Sequence, residues 1–182
     1  MRIRYQRTGF SVSEGDDCSA DAEFIGCKYS ERHKVDAMTI IEEFGRKGLK
    51  AQPVRSEMVF GMPHLRSAFL HAARACERGR SRSDDIATEF LVYASCERQI
   101  SRALEKMKVK GNGGIVMMIT PPVPDDELST ILQNLGLERD DSLIEMDGKK
   151  VANARSFGIH TDNEHEASES ILERIAMLDL TR

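Results

Sequence analysis

Residues 83–120 read SDDIATEFLVYASCERQISRALEKMKVKGNGGIVMMIT, and this segment contains three consecutive predicted elements. Residues 86–93, IATEFLVY, are rich in β-branched and aromatic side chains, which favour a short strand. Ser95 offers an oxygen to cap a helix whose inward stripe is Ile100, Ala103, Leu104 and Met107. Residues 115–119, IVMMI, are typical of a strand covered on both faces. The pattern predicts a central strand–helix–strand unit, with a right-handed crossover if its strands are parallel neighbours.

The composition of the chain is that of one globular domain. Its 182 residues are 40% hydrophobic, which is enough for a single core of ordinary size. The net charge of -4 excludes a generally basic surface, so any RNA contact would need a local patch. The four cysteines form no C-x-x-C pair, there is no secretory segment, and no apolar run approaches the ~20 residues that span a bilayer. We therefore expect a cytoplasmic single-domain protein, residues 1–182, of α/β (α+β) class, with helices packed on a mixed β-sheet.

The amino-terminal part, residues 1–29, predicts a hairpin and a further strand. The hairpin is expected to join residues 2–5 to residues 10–12 through a bend at Thr8-Gly9, and the further strand covers residues 23–29. Residues 13–22 between them are polar and predict a surface loop. Its possible metal ligands are Asp16, Asp17, Cys18 and Asp21. A solvated loop is the better interpretation, because no second set of ligands lies nearby.

Two helices are expected on either side of an extended segment, residues 51–60. The first covers residues 31–46 after a cap at Ser30, and its expected inward side chains are Val35, Met38, Ile41 and Phe44. The second begins at Pro63, which suits a first helical position, and ends before Gly79. Its expected core stripe is Leu65, Ala68, Phe69, Ala72, Ala73 and Cys76.

The face of this second helix opposite its core stripe is basic. His71, Arg74 and Arg78 fall within a narrow arc, and only one acid, Glu77, accompanies the five arginines of the segment. The five are Arg66, Arg74, Arg78, Arg80 and Arg82. A charged outer face is most often simply solvent-facing, whereas this clustering would also suit an anionic partner. Both interpretations remain open on these residues alone.

The carboxy-terminal part predicts two helices. A proline-rich bend, residues 121–124, leads into a helix over residues 125–135, whose inward residues are Leu128, Ile131, Leu132 and Leu135. The closing helix covers residues 166–180, and its core stripe is Ile171, Leu172, Ile175 and Leu178. Three more apolar residues, Ala176, Met177 and Leu180, remain outside what one core requires. A protein interface would dehydrate them, and a frayed terminal turn is the alternative.

No set of residues in the chain matches a known catalytic pattern. There is no G-x-S-x-G elbow, and the glycine-rich residues 111–114 precede a strand and do not open a helix as a phosphate loop would. Two histidines, His64 and His71, lack a third metal ligand. Glu89 is either a structural carboxylate neutralised by a cation or backbone amides, or a general base. As an alternative function, Glu89 and His71 would serve a small-molecule enzyme with one deep apolar pocket holding both.

Arg98 is placed unusually if the helix starts after Ser95. A cation in a first helical turn opposes the partial positive charge of the exposed amides. A bound phosphate would reverse that penalty, and an ion pair with Glu97 or another carboxylate is the alternative.

Several segments together resemble a known family. Residues 88–104, TEFLVYASCERQISRAL, resemble the hallmark of the small kinase-binding subunit of the KEOPS complex, the CGI-121 family. In that family an acid-bearing strand leads into an R-Q-I-x-x-A helix, here Arg98-Gln99-Ile100 and Ala103. The resemblance extends to residues 63–73 (PHLRSAFLHAA), residues 140–145 (DDSLIE) and the closing helix, and the compact length resembles that of archaeal members.

This resemblance implies a non-catalytic subunit, without cofactor or metal, of the machinery that installs threonylcarbamoyladenosine in tRNA. Its expected partners are the small atypical protein kinase of the KEOPS complex and the 3′ CCA end of tRNA, with no membrane partner. Taken with the basic cluster, we expect tRNA at Arg66, His71, Arg74, Arg78, Arg80, Arg82, Tyr93, Arg98 and Gln99, where Tyr93 or His71 would offer a stacking surface. We expect the kinase at Ile171, Leu172, Ile175, Ala176, Met177 and Leu180.

Overall fold

The computed structural model describes residues 1–5, 20–29, 36–110 and 113–180. In these ranges a five-stranded sheet is combined with seven α-helices, which confirms the expected α+β class. The strands are β1 (Arg2–Tyr5), β2 (Ala20–Tyr29), β3 (Lys50–Arg55), β4 (Ile115–Thr120) and β5 (Leu137–Arg139). The helices are α1 (Ala37–Gly45), α2 (Met62–Glu77), α3 (Ile86–Ser95), α4 (Ile100–Met107), α5 (Asp125–Asn134), α6 (Gly148–Val151) and α7 (Glu164–Leu180).

The sheet has the strand order β1-β2-β4-β3, and β5 also pairs with β2. Every pairing among the described strands is antiparallel, with Ile25 opposite Met117 and Val54 opposite Val116. The prediction of a mixed sheet is therefore wrong, because the described strands include no parallel pair. The right-handed crossover that was expected between parallel neighbours does not occur among them. β1 pairs with β2, while residues 10–12, the expected partner of β1, lie outside the described residues.

Helices cover both faces of the sheet. Phe24 and Met118 point towards the core formed with α2, α3 and α7, whereas the neighbouring Ile25 and Met117 point towards the core formed with α1 and α5. All six residues of β4 are buried as a result. This confirms the prediction that residues 115–119 form a strand covered on both faces. A strand with one solvent-facing side would alternate apolar and polar residues, and β4 has no such side.

The prediction of a strand over residues 86–93 is wrong, because this segment is the helix α3. Its N-cap is Asp85, whose carboxylate accepts a hydrogen bond from the backbone N–H of Thr88 at 3.0 Å. The side chains from Phe90 to Ala94 are all buried, since α3 contacts α2, α4, α7 and β3. A helix buried on every side has no polar face and so lacks the 3.6-residue period that would reveal it. The expected strand–helix–strand unit over residues 83–120 is therefore a pair of helices followed by a strand.

Ser95 ends α3 and does not cap the next helix as expected. Its hydroxyl donates to the carbonyl of Val92 at 3.0 Å, and the chain then turns at Cys96, whose φ of 54° is left-handed. The next helix, α4, begins only at Ile100. Its inward residues include Ala103 and Met107 as expected, but the side chain of Leu104 is 52% exposed.

The remaining helices follow the predicted patterns closely. α2 has Pro63 in its first turn. Gly79 follows the helix with a φ of 61°, which lies in the left-handed region that favours glycine. The core stripes predicted for α2, α5 and α7 are buried, except that Cys76 and Leu172 are half-buried. In α1 the buried residues are Ile40 and Phe44, so the expectation of an inward Met38 is wrong. The helix is capped by Asp36, whose carboxylate accepts from the backbone N–H of Thr39 at 2.7 Å, so it begins later than the expected residue 31. Residues 30–35, which include the expected cap, lie outside the described residues.

Three cysteines lie in the described part of the chain, and all are free. Burial raises the pKa of Cys27 and of Cys96 to about 12, so neither thiol ionises readily near neutral pH. Cys18 and most of the acidic loop considered as a metal site lie outside the described residues, while Asp21 is in β2 and pairs with Arg4 at 3.2 Å. Among the helices described, none combines the length and the apolar composition that a bilayer crossing needs.

Candidate functional site

α2 and α3 form an antiparallel helical hairpin that is fixed by a buried histidine. His64 Nε2 donates to the carbonyl of Ala94 at 2.9 Å, and Nδ1 accepts from the backbone N–H of Phe60 at 3.1 Å. This tautomer leaves the ring neutral, and burial lowers the pKa of His64 to about 4. The start of α2 is thereby held against the end of α3.

The last turn of α7 is attached to this hairpin by one carboxylate. Asp179 accepts from His71 Nδ1 of α2 at 2.6 Å and also from the hydroxyl of Tyr93 on α3. The rings of His71 and Tyr93 lie 5.5 Å apart between centroids. We call these three residues the terminal clamp. Because Tyr93 is fully buried and the side chain of His71 is only 17% exposed, Tyr93 cannot stack on a nucleotide and His71 offers little surface for it.

Glu89 is fully buried in α3 and has a structural hydrogen bond. Its Oε2 accepts from the backbone N–H of Arg82 at 2.8 Å, so it fixes the turn between α2 and α3. The expectation that a backbone amide satisfies this carboxylate is confirmed. The enzyme alternative required one deep pocket holding Glu89 and His71. Two cavities of the described chain, of about 510 and 660 Å³, are lined by other residues, and Glu89 and His71 have different partners.

We expect Glu89→Gln to lower the free energy of unfolding by roughly 1–3 kcal/mol. The amide retains an acceptor for Arg82 N–H but loses the charge and brings a buried N–H₂ group that needs partners of its own. Urea denaturation of both proteins measures the difference. Glu105→Gln, an exposed position on α4, is the matched control and is expected to change little. Equal stability of Glu89→Gln and the wild type would contradict the structural role.

The outer side of α2 and the turn after it carry a basic surface. We define the arginine face as Arg66, Arg74, Arg78, Arg80 and Arg82. The first four of these side chains are exposed. For Arg66, Arg74 and Arg78 no side-chain hydrogen bond or ion pair to another residue of the described ranges is seen. Their guanidinium groups are thus available to an anionic partner.

Arg98 and Gln99 are separated from the part of the arginine face formed by Arg78, Arg80 and Arg82, although the sequence suggested one site; Arg66 lies near the start of α2. The hydrogen bond between His64 and Ala94 places residues 96–99 at the beginning of α2, whereas Arg78 lies at its end. At about 1.5 Å per residue, roughly 20 Å of helix separates the two ends. Arg98 also precedes α4 and does not occupy its first turn, so the argument from the helix dipole does not apply.

The outer side of α7 exposes apolar side chains near its end. Met177 is 53% and Leu180 is 77% exposed, and Ala176 is exposed beside them. At 3.6 residues per turn these three fall within about 100° of arc. We call them the carboxy-terminal face. Two residues expected to contact a partner, Ile171 and Ile175, are instead fully buried and support this face from inside the core.

Comparison with known proteins gives one family match. A family description, kinase binding protein CGI-121, matches residues 35–179, which is most of the chain and includes the whole of α1 to α6 and nearly all of α7. No curated protein sequence matches the chain.

Proposed function

Since the chain belongs to the CGI-121 family of kinase binding proteins, we propose that it is the non-catalytic adaptor of a KEOPS complex. In this role it binds the small atypical protein kinase of that complex and the 3′ CCA end of tRNA, and it supports threonylcarbamoyladenosine modification in the cytoplasm. Kinase binding is the property that the family description carries. The complex, the tRNA and the archaeal type of the protein belong to the proposal.

The observation that carries the kinase part of this proposal is the carboxy-terminal face. Single exposed apolar residues are common on soluble proteins, and two large ones side by side on one helix end support the proposal because docking would dehydrate both. The terminal clamp holds this end of α7 by a hydrogen bond from each of α2 and α3. Met177 and Leu180 are therefore presented on a fixed support, which reduces the ordering cost of docking.

The arginine face supports the tRNA part of the proposal. Its guanidinium groups suit phosphates, and single-stranded ends expose base edges without opening a duplex. The net charge of the whole chain is -4, so this local basic surface stands out from an otherwise acidic protein. Tyr93 and His71 are too buried to stack on a base as expected, so tRNA recognition by the arginine face would rest on phosphate and base-edge contacts.

We expect Arg74→Glu combined with Arg78→Glu to weaken tRNA binding. Each lost phosphate contact lowers the slope of log affinity against log salt by about 0.7 to 0.9, so the pair should lower it by roughly 1.5. Fluorescence anisotropy of labelled tRNA over a salt series measures both quantities. Both side chains are exposed, so the fold should be unaffected.

The matched control is Arg102→Glu, an exposed arginine of α4 outside the arginine face. It is expected to leave the salt slope unchanged, and wild-type protein should bind tRNA lacking its CCA end more weakly than intact tRNA. Full affinity and an unchanged slope in the double variant would exclude the arginine face. The alternative tRNA site would then be the amino-terminal cluster of Arg2, Arg4 and Arg7. Two of these already form ion pairs, Arg2 with Glu23 and Arg4 with Asp21.

A further inference from the structure

A groove of about 510 Å³ lies between α7 and the segment that follows α3. Apolar side chains, Phe157, Met177 and Leu178, line it together with Cys96 and Arg98. Met177 thus belongs both to this groove and to the carboxy-terminal face. Whatever docks on the carboxy-terminal face therefore reaches the groove without a break in the surface.

The cations of the groove outnumber its acids. Lys106 forms an ion pair with Glu97 at 3.0 Å, so these two charges compensate each other. Arg174 donates to the neutral carbonyl of Gly158 at 2.8 Å, and Arg98 is exposed without an ion pair to any residue in the described ranges. One further acid, Glu173, lines the groove. The guanidinium groups of Arg98 and Arg174 leave this groove with a positive charge in a chain that is acidic as a whole.

The backbone that carries Arg98 is held rigidly. Cys96 N–H donates to Tyr93 O at 3.0 Å and Glu97 N–H to Val92 O at 3.2 Å, which closes the end of α3. Lys106 Nζ donates to Ser95 O at 2.8 Å and lies 3.9 Å from the centre of the Phe157 ring. The segment from Ser95 to Arg98 is therefore ordered before any ligand binds, so a ligand that pairs with Arg98 does not bear the cost of ordering it.

We propose that the groove receives a segment of the kinase in which a carboxylate stands beside an apolar side chain. The carboxylate pairs with Arg98 and Arg174, and the apolar side chain packs on Met177 and Phe157. This inference rests on the proposed kinase binding. It assigns Arg98 to the kinase and not to tRNA, reversing the expectation from sequence.

A protein segment fits this groove better than RNA does. Four of the residues that line it are apolar, and the carboxylate of Glu173, the acid that Lys106 does not compensate, would repel a chain of phosphates. A single carboxylate can take a bidentate position on a guanidinium group and avoid this acid. Arg74, Arg78, Arg80 and Arg82 of the arginine face lie towards the other end of α2, so Arg98 and a phosphate backbone bound there are not neighbours.

The test measures kinase affinity by titration calorimetry at low and high salt for Arg98→Glu, Arg98→Lys and Arg174→Gln. Arg98→Glu is expected to weaken binding about tenfold or more, and Arg174→Gln less, because each removes a charge partner of the carboxylate. Arg98→Lys keeps the charge but not the bidentate fork, so it should weaken binding less than Arg98→Glu does. Wild-type affinity should fall with salt, and this dependence should be smaller in Arg98→Glu. Arg102→Glu, outside the groove, should match the wild type.

The outcomes separate this inference from the kinase surface itself. If Met177→Glu weakens kinase binding and Arg98→Glu does not, the carboxylate in the groove is excluded while the carboxy-terminal face stands. If the wild-type chain does not bind the kinase at all, the proposed function is excluded with it. If Arg98→Glu weakens tRNA binding and leaves kinase binding unchanged, the groove belongs to RNA and the inference is overturned.

Discussion

Met177→Glu combined with Leu180→Arg is expected to weaken kinase binding by about 100-fold or more while leaving the fold intact. Burying each of these side chains in an interface contributes roughly 1.5–3 kcal/mol, and every 1.4 kcal/mol changes affinity about tenfold. The new charges would also have to be desolvated on docking, which adds to the loss. Both side chains are more than half exposed in the free protein, so its core does not depend on them. Titration calorimetry with the purified kinase measures the effect.

Met38→Glu is the matched control for this variant. Met38 is 60% exposed on α1, a helix that packs on the opposite face of the sheet from α7. Like Met177→Glu, it replaces a methionine of similar exposure with a carboxylate. Its kinase affinity should equal that of the wild type. If Met38→Glu and the α7 double variant lost affinity equally, the loss would not depend on where the charge is placed, and the carboxy-terminal face would not be the docking surface.

The protein is expected to lose stability in acid through His64. Its pKa is about 4 in the folded state and 6.5 as the ordinary value. Well above pH 6.5 the ring is neutral in both states and pH has no effect through it. Between pH 6.5 and 4 the unfolded chain takes up the proton more readily, so the free energy of unfolding falls. The loss amounts to about 3 kcal/mol by pH 4.

Urea denaturation at several pH values, with wild type and His64→Gln, tests this expectation. The variant should be less stable at pH 7, because Gln cannot reproduce both the bond to Ala94 O and the bond from Phe60 N–H. Its stability should fall much less between pH 6.5 and 4. Parallel curves for the two proteins would show that His64 does not control acid stability.

The largest error of the sequence interpretation concerns α3, and its cause is physical. Residues 86–93 are β-branched, aromatic and apolar because every side of this helix is covered, and a central strand would have the same composition. The cap signal was present in Asp85 and Thr88, three residues apart, before the apolar run. By contrast, β4, α2 and α5 were predictable, since each has clear glycine or proline boundaries or one polar face.

The candidate sites show how far a sequence can place residues in space. Arg82 and Arg98 are close along the chain, but the antiparallel hairpin of α2 and α3 carries Arg98 back to the start of α2. The clamp between His71 and Asp179 joins residues 108 positions apart, and no local pattern indicates it. The exposure of Met177 and Leu180 was predictable from the helical period of α7, because it needs only local geometry.

The adaptor function is tested most directly by a mobility-shift measurement that combines tRNA, this protein and the small atypical kinase, with kinase and tRNA alone as the control. We predict that the protein shifts intact tRNA, that the kinase shifts this complex further, and that tRNA without its CCA end is shifted much less. Release of the tRNA when the kinase is added, or an equal shift for tRNA without the CCA end, would contradict the account.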